Sequence, residues 1–178
     1  MNKEERPMRE LLDAIENDSL VKIRQILQTD IDLTQGVIIG EEYDLEDPDE
    51  ISLLFYAIRT HASIEAIELL LDAGVEIVQY DDDHVSTLDI AIKFKRYDVA
   101  QRCLDAGIVL NETKRKSGML PLLLAACFGD EKMVSLLLQY GASLEATDRS
   151  GMNAIAYAQK LGQKKMVTFL EAYSSKNA

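Results

Sequence analysis

Two cysteines and two histidines among 178 residues leave little material for a disulfide framework, a metal centre or histidine-based catalysis. A bridge requires α-carbons within about 7 Å, and because a cytosolic chain keeps its thiols reduced, Cys103 and Cys127 are expected to be free. His61 and His84 are expected in turns, with no nucleophile arranged beside either. Long apolar runs are missing too. Nothing approaches the roughly 18 to 20 consecutive residues that cross a bilayer, and the start MNKEERPMRE lacks the apolar segment of a secretion signal. A cytoplasmic protein without a membrane role is therefore expected. Basic side chains are scarce: 19 Lys and Arg face 31 Asp and Glu, for a net charge of −12. That balance argues against nucleic acid, whose phosphates require concentrated lysine and arginine.

The acidic and glycine-containing stretches do not supply chemistry either. Asp81-Asp82-Asp83-His84 fails as a calcium loop, because its sixth and twelfth positions hold Ser86 and Ile92 where glycine and glutamate are needed. Gly36-Val37-Ile38-Ile39-Gly40 lacks the lysine and hydroxyl of a phosphate loop. Neither catalysis nor a bound metal or cofactor is expected.

What the chain does contain is a helical unit, seen most plainly in GMLPLLLAACFGDEKMVSLLLQYGA from Gly118 to Ala142. The apolar run Leu120 to Ala126 needs burial on nearly all sides. Gly129 can end a helix in the left-handed conformation, and Asp130 can cap the next one. Val134, Leu137 and Leu138 form the stripe that turns a second helix against the first. Gly141 closes it. The same pattern recurs along the chain. Ala158, Gly162, Val167 and Leu170 stand 33 residues after Ala125, Gly129, Val134 and Leu137, and Leu88, Ala91 and Phe94 stand 34 before Leu122, Ala125 and Phe128. Ala57 precedes Ala91 by 34, with Ile67, Leu70, Leu71 and Gly74 following. Leu11 to Leu27 supplies a fifth copy through Ala14, Ile23, Ile26 and Leu27.

This unit resembles the ankyrin repeat, whose period is about 33 residues. Gly118, Pro121, Leu122, Ala125, Ala126, Gly129, Val134, Leu137, Leu138, Gly141 and Ala142 match its pattern in register. The resemblance implies an all-α ankyrin-repeat solenoid of about five stacked helix-turn-helix units with β-turn fingers, forming a single domain across residues 1–178 and stabilised by stacking. The expected divisions are an N-terminal cap at 7–33, an acidic insertion at 34–50, repeats at 49–79, 81–112, 113–146 and 147–173, and a frayed tail at 174–178. Where the family has Thr-Pro-Leu-His, this chain has Ser52-Leu53-Leu54-Phe55, Ser86-Thr87-Leu88-Asp89, Leu120-Pro121-Leu122-Leu123 and Asn153-Ala154-Ile155-Ala156. The family's hydrogen bonds between units should then be mostly missing, leaving more of the stacking to apolar packing.

The insertion departs from the family. Seven of the ten residues Glu41 to Glu50 are acidic, and a block of like charge resists packing. A solvated or disordered loop is one reading; a partner-binding element is the other, given Val37-Ile38-Ile39, which can form a strand, and Tyr43. Charge is graded: residues 1–113 hold 10 basic against 26 acidic side chains, and residues 114–178 hold 9 against 5.

Ankyrin proteins generally bind other proteins through finger tips and the concave face of the first helices. Carried over, the resemblance implies Arg59, Thr60, Lys93, Phe94, Cys127, Phe128, Lys160 and Leu161 after the paired small residues. It adds Ile51, Asp82, Asp83, Val85, Lys116, Met119, Arg149 and Met152 in the fingers, and Tyr140 before a closing glycine. Phe94, Phe128 and Leu161 form either an apolar binding row or packing between first helices. The function so implied is non-catalytic protein binding by a chain that is monomeric when free. Its partner is another protein, with a basic surface as one candidate feature. An adaptor, and an inhibitor or immunity-type antidote that occludes a basic toxin or enzyme, both remain open; an enzyme with an unrecognised site is the remote alternative.

Overall fold

A seven-residue helix followed by a nine-residue helix has too little surface to enclose its own apolar side chains, so such pairs must pack on one another. The computed structural model describes residues 5–39 and 49–177 and contains ten helices among them. They fall in two compact units, one ending at Asp81 and the other beginning at Asp82. The chain is an all-α protein of repeated helix pairs.

The first unit holds α1 (Glu5–Glu16), α2 (Leu20–Leu27), α3 (Leu53–Arg59) and α4 (Ile64–Asp72). α1 packs on α2, α3 on α4, and α2 on α4. Leu11, Ile15, Ile23, Leu53, Leu54, Ile58, Ile67 and Leu70 are fully buried between them. Two short strands, β1 (Val37–Ile39) and β2 (Asp49–Ile51), pair antiparallel with Val37 opposite Ile51. Val37 is buried and Ile38 exposed, the alternation of a strand with one covered face. Residues 40–48, which carry most of the acidic insertion, lie outside the described residues.

The second unit holds α5 (Thr87–Lys93), α6 (Tyr97–Asp105), α7 (Pro121–Cys127), α8 (Glu131–Gln139), α9 (Ala154–Lys160) and α10 (Lys164–Asn177). The first helices α5, α7 and α9 pack in series, and each second helix folds back on its own first helix. α7 buries five of its seven residues, Pro121, Leu122, Leu123, Ala125 and Ala126. Proline at its first position costs no hydrogen bond. α10 runs on to Asn177, where a frayed tail from 174 was expected. Ser175 Oγ donates to the Glu171 carbonyl at 2.9 Å within this helix.

The repeat is written most clearly in the backbone. Five residues between the paired helices have positive φ: Asp18 (49°), His61 (58°), Lys95 (54°), Gly129 (65°) and Gly162 (68°). Gly74, Gly107 and Gly141 share a second such position at the end of α4, α6 and α8, and His84, Gly118 and Gly151 a third, in the fingers. Gly118 is needed twice over. Its φ is +74°, and a β-carbon there would meet the backbone nitrogen of Arg149 at 2.6 Å. That approach lets Arg149 N donate to the Ser117 carbonyl at 3.3 Å, joining neighbouring fingers.

Apolar packing was expected to carry more of the stacking, but polar bonds other than the family's Thr and His also join the repeats. In the first unit the Tyr56 hydroxyl donates to Glu16, and Ser63 N donates to Asp18 Oδ1 at 2.9 Å. In the second, Tyr97 Oη donates to Asp130 at 2.9 Å and Tyr140 Oη to Asp105 at 2.6 Å. Asn111 bridges Gly141 and Ser143, and Gln163 Nε2 donates to the Cys127 carbonyl at 2.6 Å. Each bond joins one repeat to the next. Within α5, Ser86 and Asp89 form a buried capping box in place of the family's Thr and His.

Leu137 is fully buried in α8; Leu137→Ala should cost about 2–5 kcal/mol through the cavity it opens, read from urea denaturation. Lys95 holds a side chain in a conformation that glycine adopts freely, so Lys95→Gly should raise stability by about 0.5–1 kcal/mol. A lowered urea midpoint would show that its side chain, and not its backbone, sets the energy of the turn.

Candidate functional site

In the second unit the first helices end alike. Lys93, Cys127 and Lys160 are the last residues of α5, α7 and α9, and Phe94, Phe128 and Leu161 follow as their C-caps. Each cap N–H bonds back to a carbonyl of its helix, which fixes where the side chain leaves the backbone. Phe94 is half-buried, but Phe128 and Leu161 remain 47% and 52% exposed. Lys93 Nζ lies 5.9 Å from the Phe94 ring centroid, within cation–π reach. Lys93 and Lys160 also sit where a cation complements the negative end of a helix, so part of their presence is structural.

The fingers bring polar tips to the same unit. Asp82, Asp83, Lys116 and Arg149 are exposed, while Val85, Met119 and Met152 are half-buried. Asp148 organises the last finger: its carboxylate accepts from Ser150 N at 2.9 Å, Ser150 Oγ at 2.8 Å, Met152 N at 2.9 Å and Tyr157 Oη at 2.6 Å. These bonds, Tyr157's foremost, hold its carboxyl down at about 2, and they push the Tyr157 phenol up to about 12. The Cys127 thiol is raised by burial and by the nearby Asp148 charge. Finger and first-helix end therefore meet around Asp148, Tyr157 and Cys127, an arrangement that sequence reasoning missed. Its signal was legible as an Asp two residues before a serine, the pattern of an Asx turn.

Tyr140 belongs elsewhere. As the C-cap of α8 it engages Asp105 and Gln101 of α6, on the second helices. In the first unit, Arg59 is exposed at the end of α3, Thr60 donates to the Tyr56 carbonyl at 3.0 Å, and Ile51 is half-buried in β2. Cys103 is buried in α6, its thiol pushed up to about 12 by burial and the Asp89 charge. Such a thiol is inert. Among the described residues no group of three His, Cys, Asp or Glu could hold a metal, and no helix is long and apolar enough to cross a membrane.

Helix pairs repeated every 33 or 34 residues, with left-handed turns at fixed places and fingers joined backbone to backbone, define a tandem helical-repeat protein. Residues 103–178 match the family model described as ankyrin repeats (3 copies), and this part of the chain is built of ankyrin repeats. It is 36% identical over 120 residues to the human transient receptor potential cation channel subfamily A member 1, covering 66% of this chain and 10% of that protein. Human diacylglycerol kinase iota matches at 28% over 145 residues, 74% of this chain and 14% of its own length. An L-asparaginase of Dirofilaria immitis matches at 29% over 107 residues, 60% and 18%. The chain spans less than a fifth of each of these relatives. A channel, a kinase and an asparaginase have no activity in common, so the likeness follows the repeats. Ankyrin repeats are generally protein–protein interaction modules, and the family is typically non-catalytic.

The sign of the Asp148 shift makes a pH test. A carboxyl held low in the folded state contributes stability that is complete above its ordinary value of 3.8 and is lost as pH falls towards about 2. Tyr157→Phe removes the first cause of the shift, so the carboxyl resonance of Asp148 should titrate closer to 3.8. An unchanged midpoint would mean that the finger's other donors hold the charge alone.

Proposed function

We propose that this protein acts without turnover, binding another protein through the first-helix ends and finger tips, with Phe128 as the principal apolar anchor. The observation that carries the reading is the half-exposed Phe128 between Phe94 and Leu161 at equivalent positions of three packed helices. A large apolar side chain left in water beside others of its kind marks an interface more often than an isolated one does. Met119 and Met152 can adapt to a partner's contour, while Lys93, Lys116, Arg149 and Lys160 form a polar rim that governs rate and salt dependence. Val85, Cys127, Asp82 and Asp83 complete the face in the second unit; Ile51 and Arg59 are the corresponding places in the first.

A second reading has its own support. The first unit carries 6 basic against 20 acidic side chains, a field that suits a basic surface and would fit an inhibitor or antidote occluding a basic partner. It differs from an adaptor in what happens to the partner's activity.

Phe128→Ala should weaken a captured partner by about 2 kcal/mol or more, with the urea midpoint unchanged because half the side chain is already in solvent. The measurement pairs affinity capture from the source cell with denaturation of the same variant. Binding and stability lost in step would make Phe128 a core residue; neither changing would remove the first-helix ends as the working surface.

A further inference from the structure

The second unit differs from the first in charge. Residues 82–178 hold 13 basic against 11 acidic side chains, but the two signs are not deployed alike. Five of the eleven acids are engaged by the unit's own groups. Asp89 bonds Ser86 and lies 3.6 Å from Arg115. Asp98 takes both arms of the Arg96 guanidinium. Asp130 caps α8 and accepts from Tyr97, Asp105 accepts from Tyr140, and Asp148 is filled by its finger. The cations at the first-helix ends point the other way. Lys93 and Lys95 flank Phe94, Lys160 and Lys164 flank Leu161, and Lys116 and Arg149 tip two fingers; all six are exposed, against the exposed pair Asp82 and Asp83 on the remaining finger. Three residues after Phe128 stands the exposed Glu131, with Lys132 beside it, its Nζ 4.1 Å from the Tyr97 ring.

We propose that this face takes an acidic polypeptide segment carrying large apolar side chains, so that the apolar groups seat on Phe94, Phe128 and Leu161 while carboxylates meet the flanking lysines. The proposal rests on the reading of the face as a protein-binding surface and names the chemistry of what it binds. It assigns to this unit the opposite charge preference from the one that the chain's net −12 suggests. Salt screens charges beyond about 8 Å at physiological ionic strength, so the local lysines decide the match. Spacing narrows the shape. Packed helices stand about 8–10 Å apart, and a polyproline II segment presents the same face every third residue, about 9 Å along its axis. The favoured occupant is thus extended, with an apolar residue at every third position and acids between. A single nucleic acid strand fits less well, because stacking asks for a ring at every rung and the third rung is Leu161.

The test uses the full chain and a fluorescent peptide of about 15 residues, Phe-Glu-Glu repeated, whose period matches that spacing. Controls are its Phe-Lys-Lys and Ser-Glu-Glu counterparts and an oligothymidine strand. Phe-Glu-Glu should bind at least about tenfold tighter than every control. Phe128→Ala, and separately the pair Lys93→Glu with Lys160→Glu, should each weaken it by about tenfold or more, with folding checked by circular dichroism and urea midpoint. Raising salt from about 0.05 to about 0.3 M should weaken it further. Equal or tighter binding of any control, no binding of Phe-Glu-Glu, or indifference to both variants overturns the proposal. A captured protein that depends on Phe128 but is not displaced by Phe-Glu-Glu also overturns it, while leaving the binding face itself standing.

Discussion

A pair of short helices cannot bury its own apolar stripe, and every other feature of this protein answers to that constraint. α7 illustrates it, since five of its seven residues are buried and no single partner helix could cover them. Neighbouring repeats must supply the cover on both sides. The turns must then return the chain to the same place each time, which is why left-handed residues recur at three fixed positions. Stacking does not cover the ends of the first helices completely, and Phe128 and Leu161 stay about half exposed there.

The polar contacts between repeats follow a logic of substitution. Where the family uses a threonine and a histidine, this chain uses tyrosine hydroxyls on carboxylates at Tyr56, Tyr97 and Tyr140 and amide side chains at Asn111 and Gln163. The ties at Tyr56, Tyr97 and Gln163 are part-buried, and a donor or acceptor left there without a partner would cost stability, up to about 1–3 kcal/mol for a fully buried group. Tyrosine suits the task because its ring adds apolar contact to the bond it makes.

The fold was legible because its signals are local and repeated. Leu120 to Ala126 announces a buried helix, Gly129 and Gly141 its turns, and the 33- to 34-residue recurrence of alanines and leucines the number of units. His61 and His84 were read as turn residues from register alone, and both have positive φ. The polar ties were not legible, since Tyr97 and Asp130 are 33 residues apart and nothing in the sequence says that a phenol will reach across a repeat. The bond from Tyr157 to Asp148 was equally hidden, although the Asx turn of Asp148 was legible, and nothing local tells that the Tyr140 hydroxyl engages Asp105 on the second helices. Exposure also resists sequence reading. Phe94 and Phe128 occupy equivalent positions, yet Phe94 is the more covered of the two and Phe128 is left half exposed.

The inter-helix turns are unequal in a way that bears on the order of folding. At the shared left-handed position the first three repeats hold Asp18, His61 and Lys95, whereas the last two hold Gly129 and Gly162. Each of the first three must force a side chain into a conformation that costs L-residues roughly 1–2 kcal/mol; the last two close at no such steric cost. In a repeat array, structure can start anywhere and spread to its neighbours, so it starts where the first turn is easiest to make. In the second unit that place is the pair of repeats around α7 and α9, whose turns close on glycine, so the repeat closed by Lys95 joins a pair already made.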